Sequence, residues 1–272
     1  MRRQIGILRK MKAEWAEPVE YHLHLSTAEI PLNAALGKSI SICYTGNIFC
    51  IQCDRKIKKS FQQGYCFPCY QRLLECNLCV IHPERCSVEQ GTCALNDWAH
   101  EHCHHTHIVY LANTSGLKVG ITRETNMKTR WVDQGAVQAV PIFKVSNRYR
   151  AGVIEVLLKN HVKDKTNWRV MLKNQVETLD LALHRTELFA KIETSLPYTA
   201  KDFLADIQCL NETPVALAYP CQAYPQKLTS LSFDKNPTVE GTLMGIKGQY
   251  LLLDTGVINL RKFGGYEVEV SL

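Results

Sequence analysis

His107-Ile108-Val109-Tyr110-Leu111-Ala112-Asn113-Thr114-Ser115-Gly116-Leu117-Lys118-Val119-Gly120-Ile121-Thr122 sets two short apolar runs on either side of a small polar break that ends in glycine. Such a pattern reads as an antiparallel hairpin. Thr129 to Ala136 reads as a short helix and Ala139 to Val145 as a third strand. Between Arg148 and Lys163, Val153, Val156, Leu157 and Val162 recur at helical spacing. A further helix is expected from about Thr166 to Ile192, with Val170, Leu172, Val176, Leu179, Leu183 and Leu188 among its apolar positions.

Upstream lies a cysteine-rich stretch, about 49 to 106, with neither helical nor strand periodicity. A segment that buries so little apolar surface needs something other than a core to order it. Cys50-x2-Cys53 and Cys66-x2-Cys69, twelve residues apart, form two chelating knuckles at the spacing of a structural zinc site. Four thiolates close a tetrahedron with no open position, so metal binding and local folding are one event. Cys76, Cys79, Cys86, Cys93 and Cys103 follow, amid His82, His100, His102, His104, His105 and His107. These predict a second zinc centred on Cys79, Cys86 and Cys103, with Cys76, Cys93 or a nearby histidine as fourth ligand. Cys209 and Cys221 read as plain apolar residues.

The outer segments, 1–48 and 197–272, read as β-rich. Val19, Tyr21, Leu23 and Leu25 alternate with Glu20, His22 and His24, which turns the two histidines away from the apolar face. Thr45-Gly46-Asn47 reads as a turn between strands at Ser39 to Tyr44 and Ile48 to Ile51. Pro197, Pro214, Pro220 and Pro225 mark a linker, and Gly241, Gly245, Gly248 and Gly256 punctuate later strands. Leu251-Leu252-Leu253-Asp254-Thr255-Gly256 is similar to an aspartic-protease loop, but it occurs once and reads as a hairpin turn. The expected order is thus a β segment (1–48), a zinc-binding region (49–106), a sheet-and-helix core (107–196) and a second β segment (197–272), an α+β protein.

The chain has 272 residues, 46% of them apolar and 21% charged, which excludes wholesale disorder. The sequence has no run of 18 apolar residues, so a membrane span is not expected. Charge interrupts the apolar stretch at the N-terminus too early for a signal-peptide core. Ten of the 12 cysteines fall between Cys43 and Cys103, and in a reducing cytoplasm, where the protein is expected, such clusters are metal ligands. Net charge is +6, but Lys118 to Lys173 alone holds twelve basic and four acidic residues, a local +8. That window, with Lys118, Lys128, Arg148, Arg150 and Lys159, is the expected surface for an anionic partner, nucleic acid.

The same window carries the parts of a metal-assisted phosphodiesterase: a phenol, guanidinium groups, and a helical carboxylate with a lysine one turn later. Ile108-Val109-Tyr110, Lys118-Val119-Gly120, an arginine in the next helix, and Glu155-x3-Lys159-x7-Asn167 resemble the ordered motifs of the GIY-YIG endonucleases over residues 107 to 170. The resemblance implies a three-stranded antiparallel sheet flanked by helices. It further implies Tyr110 as general base, Arg130 or Arg123 as phosphate clamp, Glu155 as the one side chain holding Mg²⁺ or Mn²⁺, and Asn167 as support. Lys118 stands where that family has its second tyrosine; it brings a cation but neither ring nor hydroxyl. The whole chain also resembles an uncharacterised bacterial zinc-binding family of unknown function, through His107-Ile-Val-Tyr-Leu-Ala, Leu117-Lys-Val-Gly-Ile-Thr-Arg123 and Arg130-Trp-Val-Asp-Gln-Gly-Ala136.

Together these features point to a nucleic-acid-binding, divalent-metal-dependent endonuclease with one or two structural zinc ions. The alternatives are a module that binds DNA or RNA without cleaving it, for which Lys118 is the leading evidence, and a zinc-stabilised protein-interaction scaffold.

Overall fold

The computed structural model describes residues 3–93, 96–162, 165–195, 203 and 205–272. Lys163 of the basic window and Pro197 of the linker lie outside them. The protein is a mixed α+β chain with several antiparallel sheets, divided into two units. One takes Met1–Cys76, Leu172–Asn174 and Leu217–Leu272, the other Asn77–Met171 and Gln175–Ala216, so the cysteine-rich stretch contributes to both. Among the described residues no helix is long and apolar enough to cross a membrane.

The first unit is built on an antiparallel sheet of strands Arg3–Ile7, Tyr266–Ser271, Ser39–Phe49, Thr238–Lys247, Tyr250–Leu253 and Gly256–Asn259, in that order, with Lys56–Ile57 added beside Ser39–Phe49. The N- and C-terminal segments therefore share one sheet. Glu20–His24 lies between Lys12–Glu14 and Glu29–Pro31 in a smaller sheet, Tyr21 and Leu23 buried and His22 and His24 half-exposed, as alternation requires. Ser39–Phe49 is one eleven-residue strand, against the expected turn at Gly46. Gly46 takes a φ of +92°, and the register with the neighbouring strand shifts between Tyr266 and Val268. The glycine thus marks an irregularity within a continuous ladder. Asp254-Thr255 joins two paired strands, so the Leu251 to Gly256 motif is a hairpin turn.

In the second unit His107–Asn113 runs between Leu117–Arg123 and Gln138–Val145, and all seven of its residues are buried. The hairpin and third strand stand as expected. The sheet is wider than the expected three strands, because Gln208–Cys209 and Val215–Ala216 pair along Gln138–Val145. Val109 and Leu111 pack with Val119, Val140 and Ile142 against Ala151, Ile154 and Leu158 of the helix Arg148–Lys159 and Leu188 of Leu181–Ser195. Period-two alternation then turns Tyr110 and its cross-strand partner Gly120 to the other face.

The single helix expected from Thr166 to Ile192 is two, Trp168–Leu172 and Leu181–Ser195. Asn174 breaks it with a φ of +53°, and its Oδ1 accepts from the buried Lys247 Nζ at 2.7 Å within the first unit, to which both belong. Asp180 restarts the helix by accepting from the Leu183 N–H. Helix Arg148–Lys159 opens on Asn147, whose Oδ1 accepts from the Arg150 N–H at 3.1 Å. Its Gly152 is in close contact with the cysteine-rich segment: a Cβ there would stand 2.5 Å from Pro83 C and Glu84 N. That closeness holds the loop against the helix that carries Glu155.

Candidate functional site

Tyr110 has no exposed surface. Its ring lies over Gly120, where an added Cβ would come within 2.5 Å of the hydroxyl, and meets Trp131 edge-on at 6.1 Å. The helix Met127–Asp133 and the turn after it supply partners: Gln134 Nε2 donates to the phenol oxygen at 2.9 Å, and the Arg130 side chain also hydrogen-bonds it. Burial pushes the Tyr110 pKa up against the opposing pull of Arg130.

Glu155 reaches the same group from its helix. Its Oε2 is 3.3 Å from Lys159 Nζ, one turn along, and its side chain keeps only 13% of its exposure. Burial raises its pKa, while Lys159, then Arg130 and Lys118 favour the carboxylate. Lys118 is itself buried, at 8% exposure. Tyr110, Lys118, Arg130, Glu155 and Lys159 are therefore one electrostatic cluster, three cations to one carboxylate, with Arg130 exposed at its rim.

Other sequence candidates lie elsewhere in the unit. Arg123 donates to the Glu101 carbonyl and lines a small polar cavity with His105 and Glu124. Asn167 is exposed and caps Trp168–Leu172, accepting from the Arg169 N–H at 3.1 Å. Arg148 donates to the Val80 carbonyl, and Arg150 pairs with Glu89 and, at 3.6 Å, Asp206. Lys144 pairs with Glu124 at 2.8 Å, and Lys128 is exposed. Much of the basic window is thus engaged inside the fold. Trp131 and Gln134 lie in the string Arg130 to Ala136 that carries the family resemblance, but nothing in the sequence assigned them a part, which is to close over a tyrosine.

The four cysteines that could hold a metal ion belong to the first unit. The sulfurs of Cys50, Cys53, Cys66 and Cys69 all lie within 4.8 Å of one another, and Cys53 to Cys66 is 3.8 Å. Zinc–sulfur bonds of about 2.3 Å in a tetrahedron separate the sulfurs by about 3.8 Å, so the four fit such an ion. Each knuckle has a local cause. The Cys50 carbonyl accepts from the Asp54 N–H in a tight turn with Asp54 at φ +52°, while Cys66 stands at the N-cap of the helix Phe67–Arg72, which places Cys69 one turn in. Burial opposes the Cys50 thiolate, yet the N–H groups of Cys66, Gln52 and Cys53 hold its pKa down to about 6. Hydrogen bonding to Cys66, with burial, holds Cys69 up to about 12. Four thiols so close cannot all ionise without a cation among them.

A looser set occupies the second unit. Cys86 and Cys103 act on each other, which lowers the Cys86 pKa to about 6 and raises that of Cys103, but among the described residues only the first-unit four are gathered closely enough to hold an ion as they stand. Cys93 packs on this pair, and Cys79 is raised by burial and by Cys86. The Arg148 guanidinium acts on Cys79, Cys86 and Cys103. Cys76 stands with the first unit, where Glu75 and Cys50 act on it. Of the histidines, His102 stacks on Trp98 at 4.1 Å, His100 on His104 at 4.8 Å, and His107 is sealed in its strand, its Nδ1 on the His105 carbonyl.

A family model described as a protein of unknown function (DUF2797) matches residues 37–268. No curated protein and no solved structure matches the chain.

Replacing Cys66 by Ser removes one of the four thiols, while serine still suits the helix N-cap. Elemental analysis of the purified variant should show one zinc equivalent fewer than the parent; an unchanged metal content would contradict the tetrahedral site.

Proposed function

We propose that this chain, which belongs to the DUF2797 family, is a zinc-stapled protein that binds nucleic acid through its phosphate backbone without cleaving it. One observation carries the reading: the half-buried carboxylate of Glu155 pairs with Lys159 at 3.3 Å and feels two further cations, Arg130 and Lys118. A cluster with that excess of positive charge attracts an anion and repels the divalent cation that cleavage would need. Arg130, exposed and tied to Tyr110, is the group that meets a phosphate.

The order of motifs over residues 107 to 170 supports descent from the GIY-YIG endonucleases, as does the cluster that Tyr110, Arg130 and Glu155 share. Two features weigh against hydrolysis. Tyr110 is enclosed with a raised pKa, so it neither touches water nor gives up its proton near neutral pH. Lys118, in place of the family's second tyrosine, adds charge to the cluster without supplying a hydroxyl.

Cys79, Cys86, Cys93 and Cys103 are read as the ligands of a second zinc, with Arg148 as its backing cation. Two zinc equivalents in the parent and one in Cys86→Ser is the expected result; a single equivalent in both removes this second site.

The binding reading is tested by titrating labelled oligonucleotides across a salt series. Arg130→Ala is expected to weaken binding about ten-fold, and to reduce the slope of log affinity against log salt by about 0.9, one phosphate contact. Affinity and slope that match the parent would rule out this cluster as the contact.

A further inference from the structure

The spacer between the two knuckles of the four-cysteine centre, with the helix that follows it, has a chemistry of its own. Phe67 is 49% and Tyr70 38% exposed, large values for aromatic residues outside a binding surface. They stand three apart on the helix Phe67–Arg72 and so share a face. Phe61 joins them from the preceding loop, its ring centroid 5.3 Å from Phe67 and 5.9 Å from Tyr70, nearly parallel to the latter at 21°. The metal centre beneath explains how so short a segment holds three rings in place: Cys66 and Cys69 fix the helix from its buried side.

The same short stretch of chain carries five cations, Arg55, Lys56, Lys58, Lys59 and Arg72, all exposed. Lys59 lies over the Phe61 ring at 5.5 Å. None of the five makes an ion pair with a carboxylate among the described residues, whereas Lys144, Arg150 and Lys159 of the other unit all do. The one acidic residue between Cys53 and Arg72, Asp54, faces Arg9 at 3.7 Å. Lys56 acts on Glu267, which leaves Arg55, Lys58, Lys59 and Arg72 as exposed cations; an apolar protein surface would not explain these, and a duplex backbone would not use exposed ring faces. A strand of unpaired bases satisfies both, since its phosphates take the cations and its bases stack on the rings.

We propose that the aromatic and cationic knuckle formed by Phe61, Phe67 and Tyr70, with Lys59 on the Phe61 ring and Arg55, Lys58 and Arg72 exposed in the same stretch, is a binding site for single-stranded nucleic acid. It shares a ligand class with the cluster around Glu155 but none of its residues, so the two stand or fall separately.

The test uses the full-length, zinc-loaded chain and fluorescence anisotropy with a labelled oligothymidylate of roughly 15 nucleotides, alongside a duplex of equal length. Phe67→Ala/Tyr70→Ala is expected to lose at least about ten-fold in affinity for the single strand and little for the duplex. Zinc content equal to the parent's verifies that the knuckle is intact. Tyr70→Phe, which keeps the ring, should bind like the parent, and Phe67→Leu, which keeps apolar area without a π face, should not. Single-strand affinity unchanged in the double alanine variant overturns the site, whatever Arg130→Ala does. So does full binding by Phe67→Leu, which would show that the strand does not stack on the Phe67 ring. Loss in the double variant with none in Arg130→Ala upholds the knuckle and removes the cluster at Glu155.

Discussion

The carboxylate of Glu155 is held in a nearly dry position by cations on three different elements: Lys159 on its own helix, Lys118 on the hairpin and Arg130 on the short helix that follows it. Removing a carboxylate from water is costly unless opposite charge accompanies it. Glu155 therefore does two things at once. It fastens helix Arg148–Lys159 to the hairpin by charge, and it leaves the group with an excess of positive charge once its own is neutralised. Tyr110 completes the arrangement from inside, orienting Arg130 from a site that only Gly120 makes room for.

The cysteine centres answer a different constraint. The stretch between the terminal sheet and the hairpin has too few apolar residues to fold on a core of its own, and short helices such as Phe67–Arg72 are marginal without support. Thiol clusters take the place of a core there. In the first unit this leaves the surface of the segment available, and rings that would otherwise be buried are displayed. In the second, the Cys103 carbonyl accepts from the Arg148 N–H at 2.9 Å, so the order of the loop and the start of the Glu155 helix depend on each other.

What the sequence made legible was local. The hairpin at residues 107 to 123, the third strand, the alternation at Tyr21 and Leu23 and the paired knuckles each follow from spacing over a few residues. What it hid was set by distant partners. Gly46 resembles a turn until its cross-sheet neighbours hold it in a strand, and the apolar pattern from Thr166 to Ile192 looks continuous until Asn174 turns out to serve Lys247. Two two-residue strands escaped notice because their only signal is the edge they pair with. At the site, motif order pointed to Tyr110, Arg130 and Glu155, whose side chains share one cluster. It could not show that the phenol is enclosed, or that Arg148 and Arg150 are engaged with the cysteine-rich segment.

Glu155→Gln separates the two chemistries most directly, because the same substitution acts in opposite senses. If the cluster is an anion site, removing the one negative charge tightens oligonucleotide binding several-fold, and neither the parent nor the variant cleaves with Mg²⁺ or Mn²⁺ present. If Glu155 instead anchors a catalytic cation, the parent nicks nucleic acid when the metal is added and the variant does not, and that result would contradict an anion site at this cluster.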